Sequence, residues 1–401
     1  MKIRRALAGV LILLAATDVA AQDPPAADER LQYPAFLSNS FVAFSAGSIG
    51  YLFTDRQLEP GFRAQYVQKP RLAVRVDLLG HYFSEHLSVQ GTYLRPARYV
   101  KYTNINGRGV EALVSNAYAG LTLTGHIPIT QRVTGYVEGG GGVTSRSGIL
   151  VDGQTALEPA HYSSGMLGGG LSVNASPNTD LLFSWTYLPG RRSFEQPSTR
   201  FYTFGVRYHM RPIPSQTVDE RRQSGYAWPA NLVRIGVTTD GMGYGANTLF
   251  SSAVPIFWGG DVRTGHGVTL EYQRNVFHTG KRFAFDLGVS ASTFTSRDRH
   301  QGFRTLSGYP LFRFFFTRGK QVDFYGVYSL AGPTYISRPE IDTRDTGARF
   351  TFQDFMGAGV YVGRNRRVNL EVGIKHFSNG NLSTSNPGVR IPLTFTAGWT
   401  F

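Results

Sequence analysis

The 401-residue sequence contains no cysteine, which excludes disulfide bonds and thiol chemistry. Beyond its first residues it also lacks any stretch approaching the roughly 20 consecutive apolar residues of a transmembrane helix. Acidic residues are comparatively few, 27 against 41 basic ones, and the formal net charge is +14. The basic residues are scattered over predicted turns and strand ends, without a basic helix or a glycine-rich phosphate loop. No nucleic acid partner is therefore expected.

The N-terminus has the pattern of a secretory signal. A basic start is followed by the apolar run 6–16 and by the small residues 19–21, so residues 1–21 are predicted to be a signal peptide cleaved after Ala21. Residues 22–38 are polar and proline-containing, and they are predicted to form a periplasmic lead. For an exported, strongly basic protein, a polyanionic membrane surface such as lipopolysaccharide is the expected partner.

Short segments of alternating polar and apolar residues fill 39–210. Leu87, Val89 and Tyr93, for example, alternate with Ser88 and Gln90, which is the period of a β-strand with one apolar face. Aromatic residues near the predicted strand ends suit the girdles of membrane barrels. The alternation predicts eight strands, near 41–53, 62–79, 82–97, 114–127, 132–145, 161–175, 179–190 and 199–210.

Residues 211–230 hold three prolines and a charge cluster without alternation, and they are predicted to be a linker. A second strand set fills 231–401. Its candidates lie near 231–242, 246–257, 262–276, 281–296, 304–317, 321–336, 349–362, 367–378 and 389–401. Because a closed single-chain barrel prefers an even number of strands, one of the first two candidates is expected to be a loop.

The preferred fold class is all-β, with two tandem antiparallel transmembrane β-barrels of about eight strands each. Closure removes the unpaired strand edges that lipid cannot solvate. One sixteen-stranded barrel is the rival architecture, but it would have to thread the proline-rich 211–230 segment as a turn. A soluble β-sandwich would not need an apolar exterior ending in Trp399 and Phe401.

The strand 367–378 carries the residues that point to chemistry. Val368, Leu370 and further apolar residues at alternate positions share one face, and His376 and Ser378 continue that face. Serine is a weak nucleophile until a base takes its proton, and histidine is the usual base near neutral pH. A serine and a histidine on a lipid-facing row suggest a lipid substrate.

The last fifty or so residues also carry a family resemblance. The segments 376–379 (HFSN) and 386–388 (NPG), with 350–359 (FTFQDFMGAG), resemble the lipid A 3-O-deacylase (PagL) family of outer-membrane esterases. The resemblance spans roughly 230–401. It implies an eight-stranded barrel in which His376 is the general base and Ser378 the nucleophile. Arg390 stands where the family has an acidic residue, two positions after Gly388.

Strand pairing offers another acid. If the turn after Val362 pairs that residue with Val368, Asp354 lies opposite His376 and on the same face. We expect Asp354 to orient and charge the imidazole as the third member of a triad. The alternative is an interfacial aspartate that meets water or a headgroup.

Three further residues are candidates for stabilising the negative charge of the tetrahedral intermediate: Asn379, Asn386 and Gly388. Both asparagines could instead form turns, which asparagine does well. Arg390 is a candidate ligand for a lipid A phosphate, because the guanidinium fork matches phosphate geometry. The nine histidines are dispersed, so no metal site and no cofactor are expected.

The sequence therefore predicts a bacterial outer-membrane esterase that removes an ester-linked acyl chain from lipid A by Ser/His catalysis. Its partners would be lipopolysaccharide in the outer leaflet and the outer-membrane assembly machinery, which Phe401 would contact. The alternative is a noncatalytic structural or pore-forming barrel that keeps a PagL-like scaffold. Nothing in 39–210 suggests chemistry.

Overall fold

The computed structural model describes residues 28–253 and 259–401. The predicted signal peptide, residues 1–21, lies outside the described residues. None of the helices in the described part is both long and apolar enough to cross a membrane.

Two separate closed antiparallel barrels of eight strands each are present, so the tandem architecture is confirmed and the sixteen-stranded barrel is wrong. The first barrel closes in the order β1-β13-β12-β11-β8-β7-β4-β3. Its strands are β1 (Ser40–Tyr51), β3 (Leu72–Ser84), β4 (Leu87–Pro96), β7 (Asn116–Pro128), β8 (Val133–Arg146), β11 (Ala160–Ser176), β12 (Thr179–Leu188) and β13 (Thr199–Met210).

The second barrel closes in the order β14-β15-β16-β17-β18-β21-β22-β23. Its strands are β14 (Asn231–Thr239), β15 (Val262–His278), β16 (Phe283–Ser296), β17 (Gly302–Arg318), β18 (Val322–Ile336), β21 (Phe350–Val362), β22 (Val368–Ser378) and β23 (Val389–Thr400). Because β14 is short, β15 also pairs directly with β23 beyond its end.

Smaller elements lie in the loops. The first barrel carries a three-stranded sheet of β2 (Ala64–Gln68), β5 (Val100–Ile105) and β6 (Val110–Val114), and a hairpin of β9 (Ile149–Val151) and β10 (Gln154–Leu157). The second carries the hairpin β19 (Glu340–Ile341) and β20 (Arg344–Asp345), and the helices are α1 (Ser215–Arg222) in the linker and α2 (Gly245–Ala253). Short 3₁₀ turns lie at Glu29–Leu31, Ala35–Leu37, Asp55–Gln57 and Arg192–Phe194.

All of these small sheets lie at one end of the barrels, which we call the long-loop end. The opposite, short-turn end has tight connections such as 85–86 and 319–321, and it holds the linker and the C-terminus. β22 runs towards the long-loop end, so its last residues, 376–378, lie there.

The expected loop among the first two candidates of the second set is confirmed: 231–242 contains β14, and 246–257 contains helix α2 and adds no strand to the barrel. So short an apolar run cannot be assigned to strand or helix from periodicity. One strand prediction in the first set is wrong. The candidate 62–79 divides into β2, outside the barrel, and β3, which extends to Ser84. Pro70 lies at this division and lacks the N–H that a continuous strand would use.

The predicted alternation of faces is confirmed. On β4, Ser88 and Gln90 are buried in the barrel interior while Leu87 is exposed on the outside. On β22, Asn369 is buried inside and Leu370 is exposed outside. Both barrels therefore present apolar side chains outwards and polar ones inwards.

Ion pairs fill both interiors. In the first barrel Arg75 bonds Asp77 (2.9 Å) and Glu138 (2.5 Å). In the second, Glu271 accepts bonds from Arg234 and Lys375, each at 2.5 Å, and Arg234 also reaches Glu371 at 2.6 Å. Buried charges need such partners, because an unpaired charge in a poorly solvated interior is costly.

The lead segment joins the two barrels at the short-turn end. Asp28 lies 2.9 Å from His278 of β15, and Arg30 donates hydrogen bonds to the carbonyl groups of Trp228 and Pro229. The Tyr33 ring stacks on Phe277 at 4.5 Å between ring centroids, and its hydroxyl lies 2.9 Å from that of Tyr208 in β13. This segment thus contacts both barrels and the linker between them.

Candidate functional site

The turn 363–367 sets the register of the last hairpins. Val362 pairs with Val368, and this register places Asp354 directly opposite His376 and Phe352 opposite Ser378. The predicted register is confirmed. Directly opposed residues of an antiparallel pair point to the same face, so Asp354 and His376 lie side by side on the outer surface.

His376 contacts a carboxylate on one ring nitrogen and a carbonyl group on the other. Its Nδ1 lies 3.6 Å from Asp354 Oδ2, and its Nε2 lies 2.8 Å from the carbonyl oxygen of Gly259. A carbonyl oxygen can only accept, so Nε2 carries a proton in this arrangement. The Asp354 carboxylate faces the other ring nitrogen, Nδ1, on the side where the third member of a triad lies.

Asp354 is held from its other side. Its Oδ1 accepts a hydrogen bond of 2.8 Å from the backbone N–H of Ala331 in β18. One oxygen is thus fixed by a neighbouring strand while the other faces His376. This anchoring limits the directions in which the carboxylate can turn.

His376 is only 1% exposed although it points outwards. The segment before β15 covers it, because Asp261 N–H donates to the Pro387 carbonyl (2.6 Å) and Val262 N–H to the Gly388 carbonyl (3.2 Å). The sequence did not predict this cover.

Ser378 lies two residues beyond His376 on the same outward face, at the end of β22. Ser378, His376 and Asp354 all line one cavity of about 850 Å³. The structure thus brings together the three residues that the sequence proposed as a catalytic set.

The loop after Ser378 is held by its asparagines. Asn379 Nδ2 donates to the carbonyl groups of Thr346 (3.0 Å) and Ser385 (2.7 Å), and its backbone N–H donates to Asn386 Oδ1 (3.1 Å). Every N–H of Asn379 is therefore engaged by Thr346, Ser385 or Asn386, which favours the turn-forming alternative for this residue. Asn386 Nδ2 donates to Asn381 Oδ1 at 2.8 Å, so it also organises the loop.

Gly388 lies against the imidazole. It adopts φ +64°, and a Cβ added there would lie 2.7 Å from the Gly259 oxygen and 3.0 Å from His376 Nε2. Both the backbone conformation and the space thus favour glycine.

Arg390 pairs with His376 across β22–β23 and therefore shares its outer face. A register shift between Gly373 and Lys375 produces this placement, and the same shift turns Ile391 inwards into a buried cluster. Alternation along a strand is lost at such a bulge. The Arg390 guanidinium carbon lies 5.9 Å from the centroid of the Tyr244 ring.

The first barrel also reaches this site, which sequence reasoning missed. Tyr93 Oη donates a 2.7 Å hydrogen bond to the carbonyl of Gly380, and Asn381 Nδ2 donates to Tyr99 Oη at 3.1 Å. Several side chains of β3, β4 and their loops line the cavity beside His376. Alternation identifies the outer face of each strand, but it gives no signal for which outer faces of two barrels meet.

Fold and site together define a tandem pair of closed β-barrels, of which the second carries a histidine, a carboxylate and a serine on its outer face. Residues 266–391 match the model of the family described as lipid A 3-O-deacylase (PagL). The predicted resemblance of the C-terminal barrel is therefore confirmed at the family level. The matched segment is less than a third of the 401 residues, and it includes Asp354, His376 and Ser378.

Each of the similar solved structures matches a part of this chain about as long as one barrel. The outer membrane enzyme PagL is 17% identical with a TM-score of 0.31, covering 42% of this chain and 99% of its own. The N-terminal β-barrel domain of Pseudomonas aeruginosa OprF is 13% identical with a TM-score of 0.28, covering 43% and 97%. Neisserial surface protein A is 15% identical with a TM-score of 0.30, covering 43% and 97%. Comparison with curated proteins gives no match.

Proposed function

We propose that this protein is an outer-membrane esterase that hydrolyses an ester-linked acyl chain of lipid A. The observation that carries the proposal is the Asp354–His376 pair beside Ser378, on the outward face of a barrel whose segment 266–391 matches the lipid A 3-O-deacylase family. A catalytic set that faces outwards from a barrel meets lipid, not the barrel interior.

Placement in the membrane follows from the exterior of the barrels. Exposed side chains such as Leu370, Phe395 and Trp399 form an apolar surface that suits lipid. With the short-turn end in the periplasm, as in outer-membrane barrels, the end of β22 and the start of β21 lie at the outer leaflet. Ester-linked acyl chains of lipopolysaccharide lie at that level.

The chemistry uses three side chains. Ser378 Oγ attacks the ester carbonyl carbon while His376 Nε2 takes its proton, and Asp354 stabilises the imidazolium that forms. The protonated His376 then gives its proton to the leaving alcohol, which leaves an acyl-serine. Water, activated by His376 in the same way, releases the fatty acid and restores Ser378.

These reaction steps require His376 Nε2 to change its hydrogen-bond partner. Nε2, which now contacts the Gly259 carbonyl at 2.8 Å, must accept from the Ser378 hydroxyl instead. The ester carbonyl oxygen becomes negatively charged in the tetrahedral intermediate. The backbone N–H of Gly388 and the side-chain amide of Asn386 are the proposed hydrogen-bond donors to it. Arg390, on the same outer face, is proposed to contact a phosphate of the substrate.

The test is mass spectrometry of lipid A from cells that produce the full chain, its Ser378→Ala variant, or a Ser48→Ala control. Ser48 is an exposed outward serine on β1 that does not line the cavity. We expect the unaltered chain and the control to remove one acyl mass from lipid A and Ser378→Ala to remove none. Identical lipid A in all three cultures and in cells without the protein would contradict the proposal.

The second candidate function is a noncatalytic structural barrel. The observation that favours it is the Gly259 carbonyl on His376 Nε2, the atom that a base would use. A pore is the weaker form of this alternative, because buried ion pairs such as Arg75–Glu138 and Lys375–Glu271 occupy the two interiors.

A further inference from the structure

We propose that the first barrel forms half of the lipid-binding site, in which Lys69 and Arg98 bind the phosphate of the lipid whose ester reaches Ser378. The inference rests on the proposed function and goes beyond it, because it gives the noncatalytic barrel a role in substrate selection. The ligand it names is a phosphate-bearing acylated lipid.

The cavity beside Ser378 lies between the two barrels. One wall comes from the second barrel and includes Phe352, Asp354 and His376. The facing wall comes from the first barrel and includes Leu78 of β3 and Ala119 of β7. A lipid that places its ester at Ser378 therefore contacts both barrels.

The cavity wall from the first barrel has an apolar part on the strands and a cationic part at the long-loop end. Leu78, Gly91 and Ala119 lie on its strands, and they are apolar or small. Lys69 precedes the start of β3, and Arg98 follows the end of β4, so both lie at the long-loop end. Apolar side chains at membrane depth with cations above them match a lipid with acyl chains below an anionic headgroup.

At the long-loop end of the cavity, the side chains that the first barrel contributes carry positive charge. Four cations line it there, Lys69, Arg95, Arg98 and Lys101, whereas the second barrel contributes the carboxylates Asp261 and Asp354. Arg95 packs on the Tyr99 ring (5.4 Å), and Lys101 pairs with Glu111 (2.7 Å). Lys69 and Arg98 are exposed, and neither is ion-paired with a carboxylate in the described part of the chain.

The two barrels are tied together next to the proposed nucleophile. The bonds from Tyr93 to the Gly380 carbonyl and from Asn381 to Tyr99 hold the loop that begins one residue after Ser378. The cationic wall is thereby fixed relative to the site of ester attack. This fixed spacing is what would allow the phosphate position to select the ester that is cut.

The test uses the full chain in detergent with the charge reversal Lys69→Glu/Arg98→Glu. The matched control is Arg63→Glu, which changes an exposed arginine in the same loop region that does not line the cavity. Binding is measured on the Ser378→Ala background by fluorescence anisotropy of labelled lipid in mixed micelles. One arm uses bisphosphorylated lipid A, a second uses phosphatidylglycerol, and a third uses lipid A without phosphate.

We expect the double reversal to weaken binding of at least one phosphate-bearing lipid about 10-fold or more, as loss of charge-assisted contacts does. Binding of dephosphorylated lipid A should be unchanged, and Arg63→Glu should bind all three lipids normally. Whichever phosphate-bearing lipid responds identifies the source of the phosphate. If the Ser378→Ala protein binds both phosphate-bearing lipids equally well with and without the double reversal, the inference is overturned.

A second variant tests the apolar wall by itself. Ala119 points outwards into the cavity, so Ala119→Trp should fill it, whereas Ala46→Trp places the same ring on an exposed outward position elsewhere on the first barrel. We expect Ala119→Trp, and not Ala46→Trp, to lower lipid binding about 10-fold, the loss that a filled acyl position gives.

Binding and turnover separate the two proposals. If the unaltered chain cleaves no lipid but the double reversal still weakens binding, the esterase proposal fails and the lipid site stands. If the unaltered chain cleaves lipid A and the double reversal binds normally, the esterase stands and the role of the first barrel is wrong.

Discussion

Asp354 lies directly opposite His376 across the β21–β22 pair, with Oδ2 3.6 Å from Nδ1, and Ala331 N–H holds its second oxygen at 2.8 Å. A carboxylate on the outer face of a barrel is costly without a partner. Here each carboxylate oxygen has one.

Replacing Asp354 by asparagine tests whether this pair serves catalysis. The amide cannot stabilise an imidazolium, so Asp354→Asn should lower the deacylation rate about 10²-fold or more. The rate is measured on purified lipid A with the full chain. Asp298→Asn, at an exposed loop position, is the control. Full activity of Asp354→Asn would show that the aspartate only meets water or a headgroup.

Two glycines within the loop 379–388 allow a matched comparison. Gly380 and Gly388 both have φ +64°, so alanine carries a similar backbone cost at each. At Gly388 the new Cβ would lie 3.0 Å from His376 Nε2, whereas at Gly380 the nearest neighbour, Tyr93 Oη, would be 3.7 Å away. Gly388→Ala should therefore lose about 10-fold more deacylation activity than Gly380→Ala, as a displaced catalytic group does. Equal losses of activity in the two variants would mean that backbone strain, and not contact with the imidazole, causes the loss.

The ion pairs inside the first barrel predict a stability effect without an effect on chemistry. Arg75→Met leaves Asp77 and Glu138 without their shared partner in a buried site. We expect the free energy of unfolding to fall by about 3–5 kcal/mol, the usual cost of removing one partner of a buried pair. Urea unfolding in detergent micelles measures it, with the exposed Arg71→Met as control. A change below about 1 kcal/mol, the value of a surface pair, would contradict the prediction.

Docking of the lead segment should depend on pH. Burial raises the pKa of Asp28, but hydrogen bonds from His278 and Arg30 outweigh it, so the pKa lies well below its ordinary value. A lowered pKa stabilises docking above the ordinary value of about 3.9, and this contribution is lost as the pH falls below it. Amide hydrogen exchange of residues 29–33, corrected for intrinsic rates, should therefore rise between pH 6 and pH 3. Asp28→Ala should exchange fast at both pH values, and equal protection of the unaltered segment at both would refute the assignment.

Sequence patterns predicted the parts of this structure that depend on local periodicity. The alternation of Leu87 with Ser88 and Gln90 fixed the faces of β4, and the tight turn before Val368 fixed the register of Asp354 with His376. Two-residue periodicity and tight turns act over short distances, so they can be recognised in the sequence.

The features that sequence patterns did not predict lie where that periodicity is interrupted. Helix α2 occupies a run too short to be distinguished from a strand, and the register shift in β23 turns Ile391 inwards and Arg390 outwards. The Gly259 carbonyl on His376 and the Tyr93 contact with Gly380 join residues far apart in the chain. Such contacts depend on loop paths and on barrel docking, which side-chain alternation does not encode.

The docking of the lead segment has a consequence for biogenesis. Asp28 and Arg30 are synthesised early, yet their partners His278, Trp228 and Pro229 lie about two hundred residues or more downstream. The N-terminal segment can reach its final contacts only after the second barrel has begun to close. Resistance of this segment to added protease would therefore report that the second barrel has formed.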